Sequence, residues 1–239
     1  MEYAISIIIP VHNEQDTIEE VVTNILHHIT TPRLEIILVN DGSTDNSMKI
    51  IEKLATIWSR YIRIINLPIR IGQSGAITAG CSIASYPWVV LFDGDGQNEV
   101  VDIHKIVAHA IAYDYDLVIG HRIDRKEQWF GRRLPSWLAN LWISLIIGQR
   151  IYDSGSSLKC IRTNHIRALH LGKRGHRFLP ILLSLKNSDA RIGEHPIINY
   201  TRKYGRSKYG LIGRTFWTII DLTHYTLRNF ICYGEVRLS

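Results

Sequence analysis

Val89-Val90-Leu91-Phe92-Asp93-Gly94-Asp95-Gly96-Gln97 decides how the chain is read. A run of apolar residues leads straight into two carboxylates separated by one glycine. The apolar part reads as a buried strand of a parallel sheet, because such strands carry near-continuous hydrophobic runs. The carboxylates then fall just past the strand's carboxyl end, which in open α/β sheets is the ligand-binding edge. Asp93 and Asp95 offer hard oxygen ligands, and Gly94 is expected to let the backbone approach a ligand closely. Such a pair suits a divalent cation that keeps waters and binds substrate phosphates. It also suits an acidic glycine turn, since Asp and Gly are common turn residues. The rest of the chain decides between the two.

Working outward, Ile5-Ser6-Ile7-Ile8-Ile9 is a β-branched run ended by Pro10, hence a first buried strand. Val11-His12-Asn13-Glu14 form a turn, and Asp16 or Thr17 is expected to cap the next helix. In that helix Ile18, Val21, Val22, Ile25 and Leu26 make one apolar face. Leu34 to Val39 is a second strand, ending in Asn40-Asp41-Gly42-Ser43-Thr44-Asp45. A helix with Met48, Ile51, Leu54, Ala55 and Trp58 inward follows, then a strand over Tyr61 to Asn66. Arg70 to Gly75 is a glycine-containing loop opening a small-residue helix, Ala76 to Ser85. After Asp95 come a helix over Ile103 to Ala112 and a strand, Leu117 to Gly120, ending at His121-Arg122.

Alternating strands and helices argue a doubly wound, mostly parallel sheet with right-handed crossovers. That sheet loads one edge with Glu14, Asp41, Asp93, Asp95 and Arg122. Like charges so arranged repel, and a bound cation together with a nucleotide would relieve the repulsion.

Beyond residue 123 the pattern changes. Arg125, Lys126, Arg132 and Arg133 precede an aromatic-rich helix over residues 134–147 that suits either a membrane surface or the core. Ile151 to Gly155 turn into a strand over Ser157 to Ile161. Short helices over Asn164 to Leu171 and Phe178 to Leu185 follow. Ile192 to Tyr200, with Pro196 inside, reads as an edge strand. Residues 201–210 form a basic loop that either closes over phosphates or is simply solvated. Leu211 to Tyr233 is amphipathic, interfacial or packed on the domain.

Composition narrows the class. The 239 residues, 46% hydrophobic and 21% charged, are globular in balance. Net charge is +6 and the isoelectric point about 9.3, favouring anionic partners. Cys81, Cys160 and Cys232 form neither a zinc spacing nor a disulfide framework, which fits a reducing compartment. The N-terminus does not read as a signal peptide, and no apolar run reaches the roughly 18 residues of a membrane span. His27, His28, His104 and His109 have no metal-ligand spacing. No nucleic acid is expected as a partner, since no nucleic-acid motif is recognised and the cations concentrate in loops.

Ile9-Pro10-Val11-His12-Asn13-Glu14, Val39 to Asp45 and Asp93-Gly94-Asp95 together resemble family-2 inverting glycosyltransferases with the GT-A fold. Gly120-His121-Arg122, Asp153-Ser154-Gly155-Ser156-Ser157-Leu158-Lys159 and Arg202-Lys203-Tyr204-Gly205-Arg206-Ser207-Lys208 are similar to the dolichyl-phosphate mannose synthase branch. The resemblance runs in order over residues 4–210. It implies a catalytic domain over 1–210; the amphipathic segment that follows, 211–239, is expected at the membrane surface. It also implies transfer of a hexose from a UDP- or GDP-linked donor to a polyprenyl phosphate, undecaprenyl or dolichyl, on the cytoplasmic face of a membrane.

By the same resemblance, Pro10, His12, Glu14 and Asp41 line the nucleotide. Asp93 and Asp95, with Gln97 near, hold Mg2+ or Mn2+ on the diphosphate. Arg122, Arg202 and Lys208 contact phosphates, and Asp153 lies near the acceptor. His12 departs from the tyrosine often found there, Gly94 from an alanine, and Arg206 from an acid. A prenyl phosphate dianion is already nucleophilic, so no dedicated base is required. A saccharide or lipopolysaccharide acceptor would need one, with Asp153 the candidate. A non-catalytic nucleotide-sugar-binding subunit would have no need of the metal pair. Members of the branch often carry membrane-spanning helices after this domain. A chain ending at Ser239 is therefore expected to lie on the membrane surface, to use an anchoring partner or oligomer, or to be part of a longer protein.

Overall fold

The structure, a computed structural model, describes residues 3–123 and 140–198. Its strands are β1 (Ala4–Val11), β2 (Arg33–Asp41), β3 (Ile62–Leu67), β4 (Trp88–Leu91), β5 (Leu117–Arg122), β6 (Lys159–Arg162) and β7 (Ile192–Ile197). Its helices are α1 (Ile18–His28), α2 (Ser47–Ile57), α3 (Gln73–Ile83), α4 (Val101–Ala112), α5 (helical over 140–147), α6 (Thr163–Ala168) and α7 (Leu179–Lys186).

The strands form one seven-stranded sheet in the order β3-β2-β1-β4-β6-β5-β7. Alternation along each strand divides the core. Ile5, Ile7 and Ile9 of β1, Ile36 and Leu38 of β2, and Val90 of β4 pack in the layer that holds α1 and α4. Ile8, Ile37, Val39, Val89 and Leu91 face the layer that holds α3 and α7. Burial on both faces explains the continuous Ile/Val/Leu runs.

β1 pairs parallel with β2 and β4, β2 with β3, and β5 with β7. β6 runs antiparallel to both of its neighbours, β4 and β5. All strands but β6 therefore point their carboxyl ends to one edge, as the sequence pattern implies. β7 lies at the sheet's border, where Pro196 costs no ladder bond on its outer side.

Several details differ from the sequence reading: β1 does not end at Pro10 but runs through it to Val11. Thr17 stands at the N-cap of α1 but does not cap it. Its hydroxyl instead donates to the carbonyl of Gly94 at 2.7 Å, tying the helix start to the acidic turn. α3 begins at Gln73, three residues earlier than expected, because the Asp41 carboxylate accepts the N–H groups of Ile71 and Gly72 and fixes the chain just ahead of it. The strand expected over Ser157 to Ile161 begins at Lys159, because Ser156 and Ser157 belong to the preceding turn.

α5 is buried on one face and exposed on the other. Ile143 is fully buried and Ile146 and Ile147 pack on the core, while Leu141, Trp142 and Leu145 are exposed. Among the described residues, no helix is long and apolar enough to cross a membrane. The basic segment over 124–133, the basic loop with Arg202 and Lys208, the proposed domain boundary at 210 and the segment 211–239 lie outside the described residues.

The loop after β2 is held by a close approach at Gly42. Its φ is +61°, and an added Cβ would meet the Arg70 nitrogen at 2.6 Å and the Ile69 carbonyl carbon at 2.8 Å. Both contacts are backbone, so neither can move aside cheaply. Gly42→Ala is expected to destabilise the fold by about 2 kcal/mol, read as a lower urea midpoint. An unchanged midpoint would contradict this packing.

Candidate functional site

The carboxyl ends of β1, β2, β4 and β5 supply the site. After β1, Asn13 adopts φ 55°, and its side-chain carbonyl accepts the N–H of Thr44 at 2.8 Å, binding the β1 turn to the β2 turn. Ser47 accepts the N–H of Glu14 at 2.9 Å, so the start of α2 also steadies this turn. His12 donates from Nδ1 to the carbonyl of Asp41 at 2.8 Å, which turns Nε2 away from that bond. Pro10 sits inside β1, in register with Val39. Thus Pro10, His12, Glu14 and Asp41 are gathered on two adjacent strand ends. Asp41 is 3% exposed, and both its oxygens serve the backbone of residues 71–72. Its observed work is therefore to shape the loop that opens α3.

Past β4, Asp93 and Asp95 stand on a turn whose carbonyl at Gly94 is held by Thr17. Gln73, in the first turn of α3, donates from Nε2 to Asp93 Oδ1 at 2.8 Å. Gln97 donates its backbone N–H to Asp95 Oδ1 at 3.1 Å. Asp95 is buried and Asp93 partly exposed. The missing Cβ of Gly94 points inward, where it would meet Ile18 Cδ1 at 3.2 Å and Ile9 Cγ2 at 3.4 Å. The absence of a Cβ thus lets the turn settle on α1.

The donor set fits a hard divalent cation. Two carboxylates on one turn offer four hard oxygen atoms with several lone pairs each. Among the described residues there is no group of three or more His, Cys, Asp or Glu side chains placed to hold a metal. Two protein oxygens with the remainder from water and phosphate is the habit of Mg2+ and its congeners.

Arg122 and Asp153, assigned separately from the sequence, form one unit. Arg122 donates from Nε to Asp153 Oδ2 at 2.6 Å and from Nη2 to Oδ1 at 2.8 Å. This is a bidentate pair with the carboxylate almost wholly buried. Glu194 on β7 accepts the N–H groups of Tyr152 and Asp153, fixing the turn that carries the carboxylate. Burial raises the Glu194 carboxyl above its ordinary value, against the pull of those N–H groups.

Three residues went unassigned from sequence. Gln73 was seen only as part of a glycine-containing loop. Lys159 was quoted within a motif but given no role. It is 2% exposed, and its ammonium donates to the carbonyl of Ser156. His176, just ahead of α7, shares a 2.8 Å hydrogen bond with the buried Ser74 hydroxyl, and its own N–H donates to the same oxygen. Close packing, then the charges of Lys159 and Arg177, hold the His176 imidazole well below its ordinary value, so it is neutral. The histidines on helices are structural where described: His104 bonds Tyr3 and the His28 carbonyl, and His109 stacks on Tyr115. Cys81 and Cys160 are buried free thiols.

Comparison with known proteins adds the following. The model of glycosyl transferase family 2 matches residues 6–173. A dodecaprenyl-phosphate galacturonate synthase of Rhizobium johnstonii is 36% identical over 220 residues, covering 91% of this chain and 65% of that protein. An undecaprenyl-phosphate 4-deoxy-4-formamido-L-arabinose transferase of Edwardsiella ictaluri is 35% identical over 239 residues, covering 97% of this chain and 72% of that protein. Among solved structures, a mannosyltransferase of Pyrobaculum calidifontis in complex with GDP-Man and Mn2+ superposes with a TM-score of 0.71 at 15% identity. That match covers 95% of this chain and 65% of the other. It shares the GT-A fold.

A neutral His176 sets a pH dependence. The unfolded chain protonates this histidine below its ordinary value of 6.5, while the folded chain resists until well below it. The unfolded state then binds more protons, so stability is full above 6.5 and is lost as pH falls from there towards the folded value. His109 and His195, also lowered by burial, act in the same direction. The melting temperature should fall between pH 7 and pH 5, and His176→Asn should flatten that fall. An equal fall in the variant would contradict the assignment.

Proposed function

The chain belongs to glycosyl transferase family 2, and on that premise we propose that it moves a hexose or related sugar from a nucleotide donor to a polyprenyl phosphate, with inversion. The observation that carries this reading is the meeting, at one sheet edge, of a two-carboxylate turn and a bidentate Arg–Asp pair. Two relatives above 30% identity are named as polyprenyl-phosphate sugar transferases, which supports the acceptor class.

Asp93 and Asp95 would hold Mg2+ or Mn2+, with Gln97 beside them. When bound, the cation supplies charge neutralisation for the departing nucleoside diphosphate. The chain's own groups do the rest. Gln73 orients Asp93, and Thr17 holds the turn between the two acids. His12, Glu14 and the loop shaped by Asp41 form the nucleotide side, with Pro10 beneath. Arg122, fixed by Asp153, presents a planar set of donors to a phosphate. Arg202 and Lys208 are assigned to the phosphates by resemblance to the family.

The acceptor needs no base. A phosphate monoester has a second pKa of about 6, so at neutral pH it attacks the anomeric carbon as a dianion. The protein's tasks are positioning and charge stabilisation. Asp153 suits this reading, because its two oxygens are committed to the Arg122 fork rather than open to a hydroxyl proton. The exposed Leu141, Trp142 and Leu145 of α5, with Tyr152 and Ile198, offer apolar surface near the Asp153 turn. That surface supports approach to a lipid-borne acceptor.

The test is a donor and acceptor panel: purified protein, Mn2+ or Mg2+, UDP- and GDP-sugars, and undecaprenyl or dolichyl phosphate. Transfer to a prenyl phosphate is expected, and Asp95→Asn should lower turnover by at least about a hundredfold while leaving the melting temperature within a few degrees. Transfer only to a saccharide would overturn the acceptor assignment. Nucleotide-sugar binding with no transfer to any acceptor would favour a binding subunit.

A further inference from the structure

Lys159 is the least expected residue of the core. β6 is the antiparallel strand inserted between β4 and β5, and Lys159 lies opposite Leu91 on one side and Ile119 on the other. It is among the largest fully buried side chains. A leucine or methionine there would avoid the cost of desolvating a charge, which is several kcal/mol as an order of magnitude. Its Nζ donates to the carbonyl of Ser156, in the turn that leads from Asp153 into β6.

The registers explain what the charge faces. Leu91 precedes the turn of Asp93 and Asp95, and Ile119 precedes Arg122 on β5. Burial lowers the Lys159 ammonium to about 8, opposed by the carboxylates of Asp153 and Asp93 and aided by Arg122 and Arg177. Its bond to the Ser156 carbonyl and the two neighbouring carboxylates favour the ammonium form. His176, also close by, is neutral and adds no charge. Asp153 and Asp93 thus face Lys159, Arg122 forks Asp153, and Asp95 follows Asp93 on the same turn, with Arg177 at the margin. The Lys159 charge offsets part of the negative charge that would hold a divalent cation at this turn. A nucleoside diphosphate brings the missing negative charge.

We propose that Lys159 is a positioning charge that prevents Asp93 and Asp95 from retaining a divalent cation alone, so that metal binding depends on the nucleoside diphosphate. The inference rests on the assignment of the metal to Asp93 and Asp95 under the proposed function. It adds a binding order to that assignment.

The test measures Mn2+ binding at pH 7 and low salt, by loss of the free-ion electron paramagnetic resonance signal, without nucleotide and with UDP or GDP. The wild-type protein should bind Mn2+ weakly alone and more tightly with one of the nucleotides. Lys159→Met should bind Mn2+ alone about tenfold more tightly, since a unit charge is removed from a partly desolvated site. Lys159→Arg should behave as wild type. A tightening on loss of a buried residue is the opposite of what mere structural damage produces. Unchanged or weaker binding by Lys159→Met would overturn the proposal. Lys159→Gln repeats the measurement should the Met variant not fold, and failure of both to fold beside a folded Arg variant would make Lys159 a stability charge and overturn it too. Asp95→Asn separates the premise: if it binds Mn2+ with nucleotide as wild type does, the metal assignment fails whatever Lys159 does.

Discussion

The parallel pairing of β1 with β2 on one side and β4 on the other is the constraint on which the site depends. Parallel strands put all their carboxyl ends on one edge. Polar residues that follow separate apolar runs, tens of residues apart in sequence, therefore arrive together. Burial on both faces holds the register, because a one-residue slip would exchange the residues of the two core layers. Ile7 and Ile8 face opposite layers and both are fully buried.

Bringing acids to one edge creates an electrostatic problem, which the fold answers residue by residue. Asp41 is spent on the N–H groups ahead of α3. Asp93 takes a donor from Gln73. Asp153 is forked by Arg122 from above the sheet end and faces Lys159 from within. β6 makes the last two possible. As an antiparallel insertion it carries its starting turn to the same edge at which β4 and β5 finish. One reversed strand thus supplies both the acid at its entry and the buried ammonium that balances it.

Much of this was legible in the sequence and some was not. The β-branched runs of β1 and β2, the apolar face of α1 and the acids after β4 are local signals, and the structure keeps them. Pro196 within Ile192 to Tyr200 marked an edge strand correctly. The direction and position of β6 were not legible, because Lys159-Cys160-Ile161-Arg162 carries no signal of which neighbours it joins. A lysine in that run even argues against burial. The Gln73–Asp93 and Arg122–Asp153 pairs span 20 and 31 residues, a separation at which spacing conveys nothing. The packing of Gly94 against Ile18 and Ile9 was not legible either, because those contacts join distant segments.

The central claim is that the turn after β4 is half of a diphosphate clamp closed by a cation. The most direct measurement is anomalous diffraction at the manganese edge from crystals grown with Mn2+ and a nucleoside diphosphate. One peak is expected, bridging a carboxylate oxygen of Asp93 or Asp95 and the diphosphate, with the base lying beside His12 and Glu14. A manganese peak away from both acids, or a diphosphate seated at another edge of the sheet, would contradict the claim.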